Sequence, residues 1–215
     1  MRKIRTLAYG VLATVAAMTW HFTLHAAENP PTLEEALGWF HRLPALGGGV
    51  NAGKDPQRFK KLTVADLKAT KELTLGGHLL DANGKTLKDH LTLADADYRY
   101  LTALPALEVL KLPENNIGDE GLKHLGNIKS LKKLLLMENR FTAAGLQHLA
   151  GHKGLAHLDL RWNKQLDDTA IPYLVQLKHV KELTLFQTSV SPAGIKRIQE
   201  ALPACKIVMT KTEWR

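Results

Sequence analysis

Two histidines, His124 and His148, stand 24 residues apart, with Tyr100 24 residues before them and Tyr173 and Arg197 following at 25 and 24 residues. Such a row invites a metal-binding ladder on successive helices. Helices pack 8–10 Å apart, whereas two imidazoles sharing a zinc must each reach to about 2.0 Å, so the row is read as exposed helix residues. Gly47-Gly48-Gly49 is not followed by Lys-Ser or Lys-Thr and opens from no clear strand, which makes it a turn rather than a phosphate cradle. Asp167-Asp168 and the Asp95/Asp97 pair suit helix starts, where a carboxylate meets the positive end of the helix dipole. No H-E-x-x-H or C-x-x-C occurs. The chain is therefore expected to be no enzyme and to hold no cofactor and no metal.

Cys205 is the single cysteine, so no internal disulfide can form. It reads either as a small buried residue near the C-terminus or as a thiol open to intermolecular chemistry. Hydrophobic residues make up 45% of the chain and charged ones 23%, which excludes a disordered or collagen-like protein. Arg2, Lys3 and Arg5 precede an apolar run from Leu7 to Trp20, the pattern of an export signal over residues 1–27. The run is shorter than the roughly 20 residues a spanning helix needs, so no membrane span is expected after cleavage. Without the three basic residues of that segment, the formal charge falls from +8 to +5. In sequence the basic residues are interleaved with carboxylates, and nucleic acid is not an expected partner.

The elements that would position any site come from a repeat. Leu107-Glu108-Val109-Leu110-Lys111-Leu112 returns as Leu131 to Leu136, Leu155 to Leu160 and Val180 to Leu185, at intervals of 24, 24 and 25 residues, with a weaker copy at Thr70 to Leu75. Apart from Thr70 in the weaker copy, apolar residues hold the first, fourth and sixth places, the last two spaced as on one face of a strand. Asn115, Asn139 and Asn163, with Thr188 in the last copy, stand three places further on, where an amide can pair backbone groups at a buried turn. The second half of each copy reads as a helix, with Thr142 and Ser191 as N-caps, Pro192 at a first helical position and Gly121, Gly145 and Gly194 in one column.

L-x-x-L-x-L-x-x-N-x-[ILVF] followed by a glycine-containing helix resembles the leucine-rich-repeat family, in particular its ribonuclease-inhibitor-like and bacterial secreted members with 24-residue units. The resemblance covers about residues 63–209. It implies an α/β solenoid of about five repeats, right-handed, with a parallel concave sheet, helices on the convex side and a helical N-terminal cap. Residues 28–62 are then linker and cap, and 63–215 the solenoid with its C-terminal cap. Departures from the pattern are an insertion of about 13 residues from Asp81 to Leu93, Asp97 and Ala170 in the glycine column, one extra residue at Lys164 or Gln165, and His152 at a leucine position. His152 is expected as a partly exposed loop residue, with a switchable core histidine as the alternative.

The same resemblance, with strand alternation, turns the residues between the leucines outward on the concave face. Lys111, Lys133, Leu135, Met137, Asp159, Arg161, Trp162 and Phe186 fall there. Leu135, Met137, Arg161, Trp162 and Phe186 are expected to form one patch of interface-favoured types, with Lys111, Lys133 and Arg161 orienting a partner, unless the insertion or a cap covers them. The expected function is an exported, monomeric interaction module for a protein partner; glycan binding, with Trp162 stacking on a sugar, or a structural role in the cell envelope are the alternatives.

Overall fold

The computed structural model describes residues 29–43, 58–76 and 93–210. The export segment 1–27, Gly47 to Gly49 and nearly all of the 81–93 insertion lie outside the described residues. Helix α1 (Leu33–Arg42) opens the cap, followed by a 3-10 turn (Arg58–Lys61) and α2 (Val64–Ala69). Six strands follow: β1 (Glu72–Thr74), β2 (Val109–Lys111), β3 (Lys133–Leu135), β4 (His157–Asp159), β5 (Glu182–Thr184) and β6 (Lys206–Val208). They form one parallel sheet in chain order. Leu73, Leu110, Leu134, Leu158, Leu183 and Ile207 stand side by side in register.

The Leu columns of the repeat become the core. Leu107, Leu131 and Leu155, then Leu110, Leu134 and Leu158, then Leu112, Leu136 and Leu160 are all buried. Each buried leucine contributes roughly 1.5–3 kcal/mol. The return segments are shorter than full helices: α3 (Asp119–Leu125), a 3-10 turn at Ala144–Leu146 entering α4 (Gln147–Ala150), another at Asp168–Ala170 entering α5 (Ile171–Leu174), and α6 (Pro192–Ala201). The first return, Asp95–Ala103, is 3-10 throughout. Its buried Tyr98, Leu101 and Leu104 recur every third residue, and residues three apart line up on a 3-10 helix.

Two polar ladders hold successive units together. Asn163 Nδ2 donates to the carbonyls of Leu160, Arg161 and, in the preceding unit, Leu136, at 2.8, 3.3 and 2.9 Å. Its Oδ1 accepts from Asn139 N–H at 2.8 Å. Asn139 repeats the pattern, donating to Leu112, Leu136 and Met137 and accepting from Asn115 and Ile117. Asn115 donates to Leu75 and Pro113, while its buried Oδ1 has no partner among the described residues. Thr188 closes the column with one bond, to Leu185 O.

The second ladder was not legible as such in the sequence. Asp95 Oδ1 accepts from Gly118 N–H at 2.8 Å; Asp119 takes the N–H and hydroxyl of Thr142; Asp168 takes those of Ser191. Each carboxylate thus caps the helix start of the following unit rather than its own. The hydroxyl and N–H of Ser191, in that order, hold the Asp168 carboxyl below its ordinary pKa range. The glycine column follows from this geometry. A Cβ at Gly121 would lie 2.8 Å from Asp95 Oδ1, and one at Gly145 or Gly194 would overlap Asp119 Oδ1 or Asp168 Oδ1. Where Ala143 replaces the aspartate, the next unit carries Ala170 in place of glycine, and Asp167 caps its own helix through Thr169 N–H.

His152 departs from the expected exposed loop. It is 4% exposed, and its Nε2 lies 2.8 Å from Ile128 O. It occupies the inward place that Ile128 and Leu177 hold in neighbouring units, and the ring spans the gap to the preceding turn. At the N-terminal end Thr32 and Glu35 form a reciprocal cap on α1. Trp39, which the apolar spacing of that helix did not single out, stacks on Tyr100 at 5.6 Å, and Phe40 on Phe59 at 5.8 Å. These rings cover the first end of the stack, as a solenoid's terminal face requires.

Two outcomes are expected in urea unfolding. Asn163→Ala leaves three carbonyls short of a donor and costs at least about 2 kcal/mol, against about 1 kcal/mol for Thr188→Ala. Gly145→Ala costs about 1–3 kcal/mol through overpacking, and combining it with Asp119→Ala removes the clash, so the double mutant is more stable than the sum of the singles by at least about 1 kcal/mol. Additive losses would contradict the second ladder.

Candidate functional site

The helix-free face of the sheet carries three cross-strand rows. The first runs Lys111, Leu135, Asp159, Thr184 in register. Lys111 is half-buried and pairs with Glu72 on β1 at 2.6 Å. Leu135 is buried, held between Lys111 and Asp159. Lys133, half-buried, stands two residues before it, opposite Val109 and His157.

Asp159 and Arg161 bond to each other along one strand face. Arg161 Nε donates to both carboxylate oxygens at 2.9 and 2.7 Å, Nη2 donates to Oδ2, and the Arg161 N–H donates to Oδ1 at 3.1 Å. The two residues are 8% and 7% exposed. The guanidinium expected to orient a partner is therefore engaged within the protein. Taking either partner away would strand a buried charge, a loss of about 3–5 kcal/mol. Spacing of two on a strand was the available signal for this pair.

The second row, Pro113, Met137, Arg161 and Phe186, and the third, Glu114, Glu138, Trp162 and Gln187, lie where the strands end and the chain turns. Pairing continues beyond the three-residue strands: Glu114 N–H donates to Met137 O, Glu138 N–H to Arg161 O and Trp162 N–H to Phe186 O. The third row sits in left-handed backbone, with φ of 55°, 55°, 64° and 58°. This turn brings the following asparagine inward. A side chain there costs roughly 1–2 kcal/mol per residue relative to glycine, and the repeat accepts polar residues in three of the four positions.

Trp162 is the exception. It is 37% exposed, one of two large hydrophobics so exposed among the described residues, the other being Met209. Its ring meets Phe186 edge to face, centroids 5.7 Å apart and planes at 88°. Met137 and Phe186, both half-buried, belong to the adjoining row on the flanking strands. The structure thus brings Trp162 and Phe186 together as one ledge, with Met137 and the Asp159-paired Arg161 continuing the adjoining row and buried Leu135 in the first row.

On the helical side, His124 lies 3.9 Å from Glu120, and burial lowers its imidazole pKa. Among the described residues, no group of three or more His, Cys, Asp or Glu side chains converges as a metal site requires. Cys205 is buried, and that burial raises its thiol pKa. No described helix is long and apolar enough to cross a membrane.

Comparison with known proteins adds the following. The family model described as Leucine Rich repeat matches residues 103–126. A leucine-rich-repeat protein of Leptospira interrogans is similar at 30% identity over 67% of this chain and 32% of that one, with a TM-score of 0.45. An internalin from Listeria monocytogenes is similar at 18% identity over 57% of this chain and 39% of that one, with a TM-score of 0.38. The chain spans about a third of the first structure's length and under two fifths of the second's. No curated protein matches the chain. The matched segment is one unit long, the same inward leucines and in-register strands repeat on either side of it, and the asparagine ladder continues downstream; the chain belongs to the leucine-rich-repeat family.

Proposed function

We propose that the chain is an interaction module that binds a protein partner on the open face of its sheet, with the Met137–Trp162–Phe186 ledge as anchor. The observation that supports this most is Trp162 itself. Its backbone conformation favours glycine, over a third of its surface stays open to solvent, and its contact with Phe186 adds about 0.5–1.5 kcal/mol beyond the area it buries. A large indole is thus held in left-handed backbone with a substantial part of its surface open to a partner. Tryptophan is also the residue type most enriched where interface energy concentrates.

Lys111 and Lys133 stand at the edge of this area, while the Asp159–Arg161 pair stiffens the surface beside it. The export reading of residues 1–27 completes the proposal: the basic N-terminal residues and the short apolar run support a site of action beyond the cytoplasm, and the module is taken to act as a monomer without catalytic activity. An indole face also suits a sugar ring, so glycan binding at the same ledge is the rival outcome of the test.

Cross-linking of the full chain in its native extract identifies the partner, and titration with that partner measures the ledge. Trp162→Ala and Phe186→Ala are each expected to weaken binding by about 2 kcal/mol. Unchanged affinity in the double variant removes the ledge from the proposal, and retention on insoluble glycan that depends on Trp162 replaces the protein partner with a carbohydrate. Trp162→Gly separates folding from binding. Relief of the left-handed backbone offsets part of the lost burial, so Trp162→Gly is expected to be more stable than Trp162→Ala by about 1 kcal/mol while binding falls as for alanine. A binding loss that shrinks together with the stability loss would make Trp162 a folding residue.

A further inference from the structure

The basic residues that alternate with acids along the sequence are gathered by the coil onto one edge. Lys129, Lys153 and Lys178 each stand four residues before a strand's first residue, and those first residues, Lys133, His157 and Glu182, are in register. Lys132 and Lys181 stand one residue before β3 and β5, and Lys206 begins β6. Backbone bonds from Ala156 N–H to Lys132 O, Lys181 N–H to Ala156 O and Lys206 N–H to Lys181 O chain this edge together. All six lysines are exposed.

Two carboxylates reach the same edge, and each has a lysine: Glu108 takes Lys132 at 2.8 Å and Glu182 takes Lys206 at 3.2 Å. Lys129 donates to Gly126 O and Lys178 to Ala201 O, both carbonyls near helix ends. Lys153 and Lys181 have no partner among the described residues. Neighbouring strands lie about 4.8 Å apart, and like charges at opposed positions destabilise a sheet. Four exposed lysines without a carboxylate thus stand on three consecutive units, a charge arrangement that an anionic partner complements.

We propose that this lysine edge, separate from the Trp162 ledge, binds an extended acidic polysaccharide lying along the stacking direction. The row is linear and advances one unit at a time, which fits a chain of regularly spaced anions. Residues 127–132, 151–156 and 176–181 contain no arginine, tryptophan, tyrosine or phenylalanine, and His152 is buried, so apart from His179 the edge lacks the bidentate and stacking groups that favour nucleic acid. Their larger apolar side chains, Ile128, Leu131, Leu155, Leu177 and Val180, are buried, which leaves no wedge to enter a lipid surface. The choice of a glycan over other polyanions rests on the export reading.

The test is titration of the full chain with heparin, a soluble sulfated glycan, at two salt concentrations, alongside duplex DNA and phosphatidylserine vesicles. Replacing Lys129, Lys153, Lys178 and Lys181 together by glutamine is expected to weaken heparin binding at least about tenfold and to flatten its salt dependence, because fewer counterions are released. A control with the same charge loss elsewhere, glutamine at Lys60, Lys61, Lys68 and Lys196, is expected to stay within about twofold. Acetylation of the unmutated chain reads the same contact without a substitution: heparin protects Lys153 and Lys181. Equal weakening in both variants, no protection of those two lysines, or tighter binding of DNA or vesicles than of heparin overturns the proposal.

Discussion

The structure depends on pairing the backbone where a buried strand ends. Each unit must turn sharply off the sheet while its carbonyls are still inside the protein, and an unpaired buried carbonyl costs about 1–3 kcal/mol. An asparagine amide offers two donors and a carbonyl at one point. Asn139 and Asn163 use both ends: the amino group takes carbonyls of its own turn and the preceding one, and the oxygen takes an N–H of the preceding unit. This continuity fixes the spacing of the units, and the left-handed turn that delivers the asparagine inward also sets Trp162 outward.

The leucine period and the asparagine column were legible because each is a single residue type at a fixed interval, and six in-register strands follow from them. The return segments were less so, since three-residue spacing serves an α-helix and a 3-10 helix alike, and the first return is 3-10. The aspartate ladder joins residues in different units, so an aspartate read alone looked like a cap on its own helix. His152 was misplaced for a related reason: a polar residue at a leucine position suggests a loop unless the preceding carbonyl that receives it is known.

The ledge was partly legible. Trp162 and Phe186 are brought together, with Met137 in the adjoining row, and their residue types on the strand face were the signal. The engagement of Arg161 by Asp159 was hidden because exposure depends on how tightly the flanking rows pack, which no spacing reveals. The lysine edge was obscured by the same interleaving that made the charge look dispersed. Four residues before a strand and one residue before it are neighbours only once the chain has coiled.

The pairing of aspartate with glycine also makes the units unequal as building blocks. The unit bearing Ala170 tolerates only a predecessor that lacks the carboxylate, which here is the one bearing Ala143. A tandem copy of it would set its own Asp168 against a methyl group, whereas the unit containing Ala143 and Gly145 meets no such obstacle in tandem. Lengthening of this array by duplication is thus easy at one seam and blocked at another, and the order of its modules is written into the contact between a carboxylate and a missing side chain.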